Sequence, residues 1–245
     1  QRLQELAARH LTRHLTPLHS GTGPSVEMAG RQILLFASND YLGLAMHPEV
    51  VQSAIEATQR FGAGAGAARL ISGSLPPHQE LESALAQFKG TEAALTFSSG
   101  YLANIGTIPA LIGRGELVLA DRLSHASLID GCRLSAADFR VYRHKDTDHL
   151  KSLLAKRRRG RRTLIVTDGL FSMDGDLAPL PELSQLAQDY EADLYIDDAH
   201  GTGVMGLHGR GTAEHFGINA DLPFQMGTLG KAFGSSGAYL AGSST

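Results

Sequence analysis

The feature that most constrains this chain is a repeated alternation. The short apolar runs AALTF, LVLAD, FRVYR, TLIVTD, DLYID, FQMGT and AYLAG are separated, from Leu81 onward, by stretches with helical spacing. Strands that alternate with helices need crossover connections, so the pattern predicts an α/β fold with a mostly parallel sheet covered by helices on both faces. In such sheets ligands gather where the strands end, and here the polar motifs follow the strands directly. Ahead of the alternation, Leu3, Leu6, Leu11 and Leu15 have roughly helical spacing before Pro17 and SGTG break the pattern. This reads as an N-terminal helix and arm over residues 1–40, with one large domain over 41–245. Within these, QILLFASND reads as a short strand, residues 47–60 as a helix started by Pro48, and FGAGAGAARLISGS as a loop.

Composition narrows the function classes. At 245 residues and 42% hydrophobic content the chain can bury one large core. Its 22 Lys and Arg against 25 Asp and Glu leave a formal charge of -3, so no global basic field points to nucleic acid. The single cysteine, Cys132, rules out an intrachain disulfide framework and is expected to be a buried apolar residue in a reducing compartment. No apolar run approaches the roughly 20 residues of a membrane span, and the opening QRLQELAARHLTRHL lacks a signal-peptide core, so a cytoplasmic protein without a membrane role is expected. Because the sequence starts at Gln1 and stops just after GAYLAG, a fragment of a longer protein is also expected. The basic run KRRRGRR, residues 156–162, reads as a solvated helix end or as a contact to an anionic substrate such as coenzyme A.

Four motifs carry chemistry. TLGKAFG sets Lys231 among small residues after a strand; it is either a surface lysine or an amine that reaches a cofactor carbonyl, its proton loosened by burial. DLYIDDAHGTGVMG places Asp197, Asp198 and His200 at a strand end, where they fit a metal site, a capping cluster or a clamp on a cofactor ring. An ionised Asp there can keep a pyridine nitrogen protonated, while the short-range second histidine or carboxylate pair of a metal motif is missing. DRLSHASLIDG offers His125, either a satisfied structural histidine or a flat ring for stacking. TFSSGYLAN opens a helix whose free N–H groups near Ser99, Gly100 and Tyr101 suit a phosphate, with the Thr228 hydroxyl nearby in sequence to Lys231, or it is a plain N-cap. Gly62, Gly64 and Ala67 satisfy G-x-G-x-x-A, but helix-like sequence precedes them where a dinucleotide fingerprint needs a strand.

Taken in order from about Arg13 to Thr245, SNDYLGLA, SSGYLAN, DRLSHASLIDG, DGLFSMDGDLAPL, DDAHGTGVMG and TLGKAFG closely resemble the α-oxoamine synthases, pyridoxal-phosphate (PLP) enzymes with the fold-type-I transferase architecture. The resemblance implies PLP as cofactor, Lys231 as its Schiff-base lysine, Asp197 at the pyridine nitrogen, His200 and Ser172 near the ring hydroxyl, and His125 stacked on the ring. Gly100, Tyr101 and Thr228 fall on cofactor-contact positions, and Arg13 and Asn39 on substrate-contact positions. It further implies decarboxylative condensation of an amino acid with an acyl thioester. The DDAHGTGVMG and SHAS spellings favour L-alanine and a pimeloyl thioester, on the way to biotin, over the glycine-using members. A homodimer follows from the resemblance alone. Two departures stand out: Ala67 and Ala68 replace a frequent Gly-Ser, and the family's small C-terminal domain, with its carboxylate-gripping arginine, lies beyond Thr245. A homologue that keeps the fold without turnover is the non-enzyme alternative.

Overall fold

Each of the apolar runs forms a strand: β3 (Ala93–Phe97), β4 (Leu117–Asp121), β5 (Asp138–Tyr142), β6 (Thr163–Asp168), β7 (Asp193–Asp197), β8 (Phe224–Thr228) and β9 (Ala238–Gly242). They join one seven-stranded sheet in the order β3-β9-β8-β7-β6-β4-β5. Strands β4 to β8 pair in parallel, while β9 runs antiparallel to both β8 and β3. The architecture is thus α/β with a mostly parallel sheet, as the alternation predicts.

The computed structural model describes residues 2–19, 21, 23–218 and 222–244. They fall into two units, Gln1–Ser38 and Asn39–Thr245.

Strands β4 and β6 are buried at every residue because both faces of the sheet are covered. Successive side chains point to opposite faces, and the core divides accordingly. Leu117, Leu119, Ile165, Leu194 and Ile196 join Leu150 and Leu154 of α6 (Thr147–Ala155) and Leu180 and Leu183 of α7 (Leu180–Asp189). Val118, Ala120, Leu164, Val166, Tyr195 and Met226 join Ala103 and Ile108 of α4 (Gly100–Leu111) and Leu128 and Cys132 of α5 (Ala126–Leu134). Cys132 is a buried free thiol whose pKa burial pushes up to about 12, so it stays protonated.

The first unit holds α1 (Arg2–Ala8) and an antiparallel hairpin of β1 (Ser25–Met28) and β2 (Arg31–Leu34). The helical spacing through Leu15 overreaches, because the helix ends at Ala8 and His10 adopts φ 53°, a left-handed conformation that terminates helices.

In the second unit, α2 (Pro48–Phe61) begins on Pro48 and leads into the glycine loop. A helix, not a strand, precedes Gly62, so the dinucleotide fingerprint lacks its structural context. α3 (Pro76–Lys89) follows and ends on Gly90.

The basic run is more than a solvated helix end. Arg161 donates to the Gly115 and Glu116 carbonyls and to Asp138, Arg157 donates to the Tyr190 carbonyl, and Arg162 pairs with Asp193 at 3.5 Å. Because the run leads straight into β6, its guanidinium groups reach the strand starts, the sheet edge opposite the strand ends. Among the described residues, no helix is long and apolar enough to cross a membrane.

Candidate active site

Five of the motifs meet where the parallel strands end. A cavity of about 210 Å³ is lined by Gly100, Tyr101, His125, Ser127, Asp168, Asp197, Ala199, His200, Met226, Thr228 and Lys231. Its walls are the start of α4, the start of α5, the ends of β6, β7 and β8, and the loops after β7 and β8. Each is a strand-to-helix or strand-to-loop transition, so one sheet edge delivers all the side chains together.

The neighbouring acids Asp197 and Asp198 separate. Asp197, last residue of β7, is 4% exposed and faces the cavity. Its Oδ2 accepts from Asn104 Nδ2 at 2.8 Å and its Oδ1 from the Ala199 N–H at 3.1 Å. Asp198 is directed instead at the start of α8 (Thr212–His215), accepting from the Thr212 N–H and hydroxyl at 2.9 and 2.8 Å, with the fully buried Lys89 at 3.7 Å. A Cβ on Gly211, whose φ is 112°, would overlap the Asp198 carboxylate, which accounts for glycine there. The capping reading of the motif therefore holds for Asp198, while Asp197 remains open to the cavity. Among the described residues no group of three His, Cys, Asp or Glu side chains gathers as metal ligands.

Lys231 Nζ lies 3.0 Å from His200 Nε2, and His200 Nδ1 lies 2.6 Å from the Tyr41 hydroxyl. Tyr41 donates to Asn39 Oδ1 at 3.2 Å. With its only proton used there, Tyr41 accepts from His200 Nδ1–H, which leaves Nε2 bare to accept from the lysine. Burial, reinforced by Lys231, lowers the His200 pKa to about 4, so the ring is neutral in this chain of bonds. Burial likewise lowers the Lys231 pKa, against the pull of Asp197 and Asp168. The TLGKAFG loop is held close by Gly234, at φ 61°, where a Cβ would strike the backbone of Leu44 and Ala45.

His125 caps α5. Its Nδ1 accepts the Ser127 N–H at 3.2 Å and lies 2.7 Å from the Ser127 hydroxyl, while its own N–H donates to Asp168 Oδ2 at 2.9 Å. The structural reading thus holds, and His125 also lines the cavity. Asp168 and Asp197 are register partners on β6 and β7. Burial raises the pKa of both, and Asp197 raises Asp168 further. The pair titrates together; the anion belongs on Asp197, which has two donors and Lys231 beside it, against a single backbone donor for Asp168.

The remaining residues are placed unevenly. Gly100 opens α4 at the cavity, with Ser99 as N-cap accepting the Leu102 N–H at 3.2 Å. Tyr101 lines the cavity while its hydroxyl donates to Asp130, which raises its pKa. Thr228 lines the cavity too, although its hydroxyl donates to the Gly237 carbonyl and accepts the Gly230 N–H. Ser172 lies in an adjoining smaller cavity that shares only His125 and Asp168 with the first. Arg13 is an exposed residue of the first unit. Sequence reasoning missed Tyr41, Asn104, Ser127 and Asp168. Only Asp168 carried a usable signal, since TLIVTD ends its strand on an acid as DLYID does.

Residues 31–245 match the aminotransferase class I and II family. The chain belongs to that family. It is similar to proteins named 8-amino-7-oxononanoate synthase, 56% identical to that of Geobacter sulfurreducens over 98% of this chain and 48% identical to that of Thermoanaerobacter pseudethanolicus over 99% of it. Among solved structures, serine palmitoyltransferase from S. paucimobilis bearing a PLP–myriocin aldimine superposes with TM-score 0.92 at 33% identity, covering 98% of this chain and 61% of the other. The 8-amino-7-oxononanoate synthase of Francisella tularensis gives TM-score 0.72 at 30% identity, covering 85% and 58%. The chain spans 62% of the length of each of the two curated relatives.

Proposed function

We propose that this member of the aminotransferase class I and II family is the cofactor-binding part of an 8-amino-7-oxononanoate synthase, which condenses L-alanine with a pimeloyl thioester, releasing carbon dioxide. The observation that carries the reading is the convergence of Lys231, Asp197 and His125 on one cavity at the strand ends. The 46–56% identity to relatives of that name weighs the substrate choice towards alanine and pimeloyl over serine and palmitoyl.

The cavity's donor set fits PLP. A buried carboxylate suits a protonated ring nitrogen, an amine suits an aldehyde, and the start of a 12-residue helix suits a phosphate. Asp197 would hold the ring nitrogen, His125 the ring face, Lys231 the aldehyde, and the N–H groups of Gly100 and Tyr101, with Thr228, the phosphate. Bound PLP supplies an aldehyde that captures amines and a protonated pyridine that accepts an electron pair from the substrate's α-carbon.

This chain's residues manage the protons around that chemistry. Lys231 Nζ takes the proton from the alanine α-carbon and later returns one to the product, a role that a lysine with lowered pKa fills near neutral pH. His200 Nε2 accepts a hydrogen bond from the lysine and steadies its position, backed by Tyr41. Asn39, bonded to Tyr41, is proposed for the substrate carboxylate, and Arg13 for a substrate contact. Ser172 borders the ring-hydroxyl region from the adjoining cavity. A second copy of the chain is the proposed partner: α2 buries none of its residues, and Leu70 and Ile71, in a short π-helix (Arg69–Gly73) where the sequence reads as loop, are 99% and 83% exposed. The protein is proposed to work in the cytoplasm.

The test is product identification by mass spectrometry, using the full-length protein with L-alanine, glycine or serine and a panel of acyl thioesters. The reading expects the eight-position amino ketone from alanine and pimeloyl thioester. Product from glycine and a short acyl-CoA alone would replace it with the glycine-using alternative, and no product with any pair would favour a homologue without turnover.

A further inference from the structure

Helix α4 has the sequence GYLANIGTIPAL, and in its middle stands Asn104 with no exposed surface. An amide buried in an apolar helix is costly unless its bonds are made, and Asn104 makes three. Its Nδ2 donates to Asp197 Oδ2 and to Ser127 Oγ, both at 2.8 Å, and its Oδ1 accepts from the Tyr195 hydroxyl at 2.9 Å. The opposite amide orientation would set Oδ1 against the Asp197 carboxylate, acceptor against acceptor. The orientation is therefore fixed by its neighbours.

The consequence passes to His125. Ser127 Oγ accepts from Asn104, so its one proton goes to His125 Nδ1, 2.7 Å away. That nitrogen also accepts the Ser127 N–H. Doubly an acceptor, Nδ1 carries no proton, and the ring proton sits on Nε2.

We propose that Asn104 is a positioning residue that ties Asp197 and His125 into one hydrogen-bonded unit, orienting the carboxylate through one amide proton and, through the other, committing the Ser127 hydroxyl proton to His125 Nδ1 beside the backbone donor. The proposal rests on the reading above for the roles of those two side chains. The chain of bonds runs from Tyr195 on β7 through Asn104 on α4 and Ser127 on α5. It joins the two groups placed to grip a cofactor ring at its nitrogen and its face.

The test is nuclear magnetic resonance on the cofactor-free protein, following the nitrogen couplings of His125 and the carboxyl carbon of Asp197 through a pH titration. Charged and titratable groups around Asp197 are Asp168 on β6, Tyr195 on β7, Asp198 just after it, Lys231 and His200 on loops, and His125 at the start of α5, and none of these is altered by the variants. The wild type is expected to hold the Nε2–H tautomer. Asn104→Leu, close in shape, is expected to raise the Asp197 titration by about one pH unit or more, since a carboxylate loses a donor, and to move the His125 Nδ1 resonance as the Ser127 hydroxyl is freed to turn away, the backbone donor keeping the proton off that nitrogen. Ser127→Ala is expected to disturb only His125 and to leave the Asp197 titration in place; this arm stands alone if Asn104→Leu does not fold. A proton on Nδ1 in the wild type, or unchanged signals from both residues in both variants, would overturn the proposal. A full-length protein that ignores PLP while these signals move as stated would defeat the functional reading and leave the hydrogen-bonded unit standing.

Discussion

Two polar clusters, one buried and one open, sit back to back at the end of β7. Behind the sheet edge, Asp198 is enclosed by Lys89 and the amide and hydroxyl of Thr212, with Lys89 also bonded to the Arg210 carbonyl. In front, Asp197, Lys231, His200 and His125 are anchored from one side only and present their remaining faces to a cavity. One cluster is closed on itself and the other is open. Adjacent residues of one motif thus divide into scaffold and site, and the difference lies in what faces each carboxylate, not in its chemistry.

If the closed cluster is scaffold, breaking it costs stability. Lys89→Ala leaves the Asp198 charge buried without its cation and is expected to destabilise the chain by about 3–5 kcal/mol, read as a lower urea midpoint. Should the midpoint hold, Asp198 would be as dispensable to the fold as a surface acid. Asp197→Asn in the open cluster is expected to do the reverse. Turnover by the full-length protein falls on the order of 10²–10⁴-fold, the range for a lost proton-handling group, while the amide keeps one of the two hydrogen bonds from Ala199 and Asn104, so that the stability loss is smaller than in Lys89→Ala. A large loss of stability with retained turnover would move Asp197 into the scaffold.

Asp168 sharpens the comparison through pH. Its pKa is raised from 3.8 to about 8 by burial and by Asp197. The folded state therefore holds a proton that the unfolded chain releases near pH 4, and the associated stability, full below that, is lost as pH rises through about 8. Asp168→Asn keeps an acceptor for the His125 N–H and removes the titration. Its melting temperature is expected to gain on the wild type steadily from pH 5 to pH 8, and a difference that does not vary with pH would show that Asp168 is ionised throughout. The smallest effect belongs to the surface least involved in either cluster. Val51→Asp on α2 is expected to change monomer stability by no more than about 0.5 kcal/mol while weakening self-association in sedimentation; unchanged association would remove α2 from the proposed contact between copies.

The sheet was legible because strands buried on both faces are continuous apolar runs, and those runs mark their own ends: TLIVTD and DLYID match β6 and β7 residue for residue. Lys231, Asp197, His200 and His125 were legible because each follows such a run. Asn104 and Ser127 were not, since an asparagine in a helix and a serine beside a cap become meaningful only when α4, α5 and β7 pack together. Tyr41 likewise depends on a long-range approach to His200. The N-terminal helix was overread because leucines at helical spacing favour a helix only where a core receives them, and α1 buries none of its residues.

The central claim is that Lys231 is the amine of a PLP site, and one measurement addresses it directly. The protein is incubated with PLP, reduced with borohydride, digested and mapped by mass spectrometry, alongside Lys231→Ala. The account predicts a single dominant label on the peptide containing Lys231, with loss of the visible absorbance band in the variant. Label spread over exposed lysines such as Lys145 and Lys151, at equal level in wild type and Lys231→Ala, would contradict it.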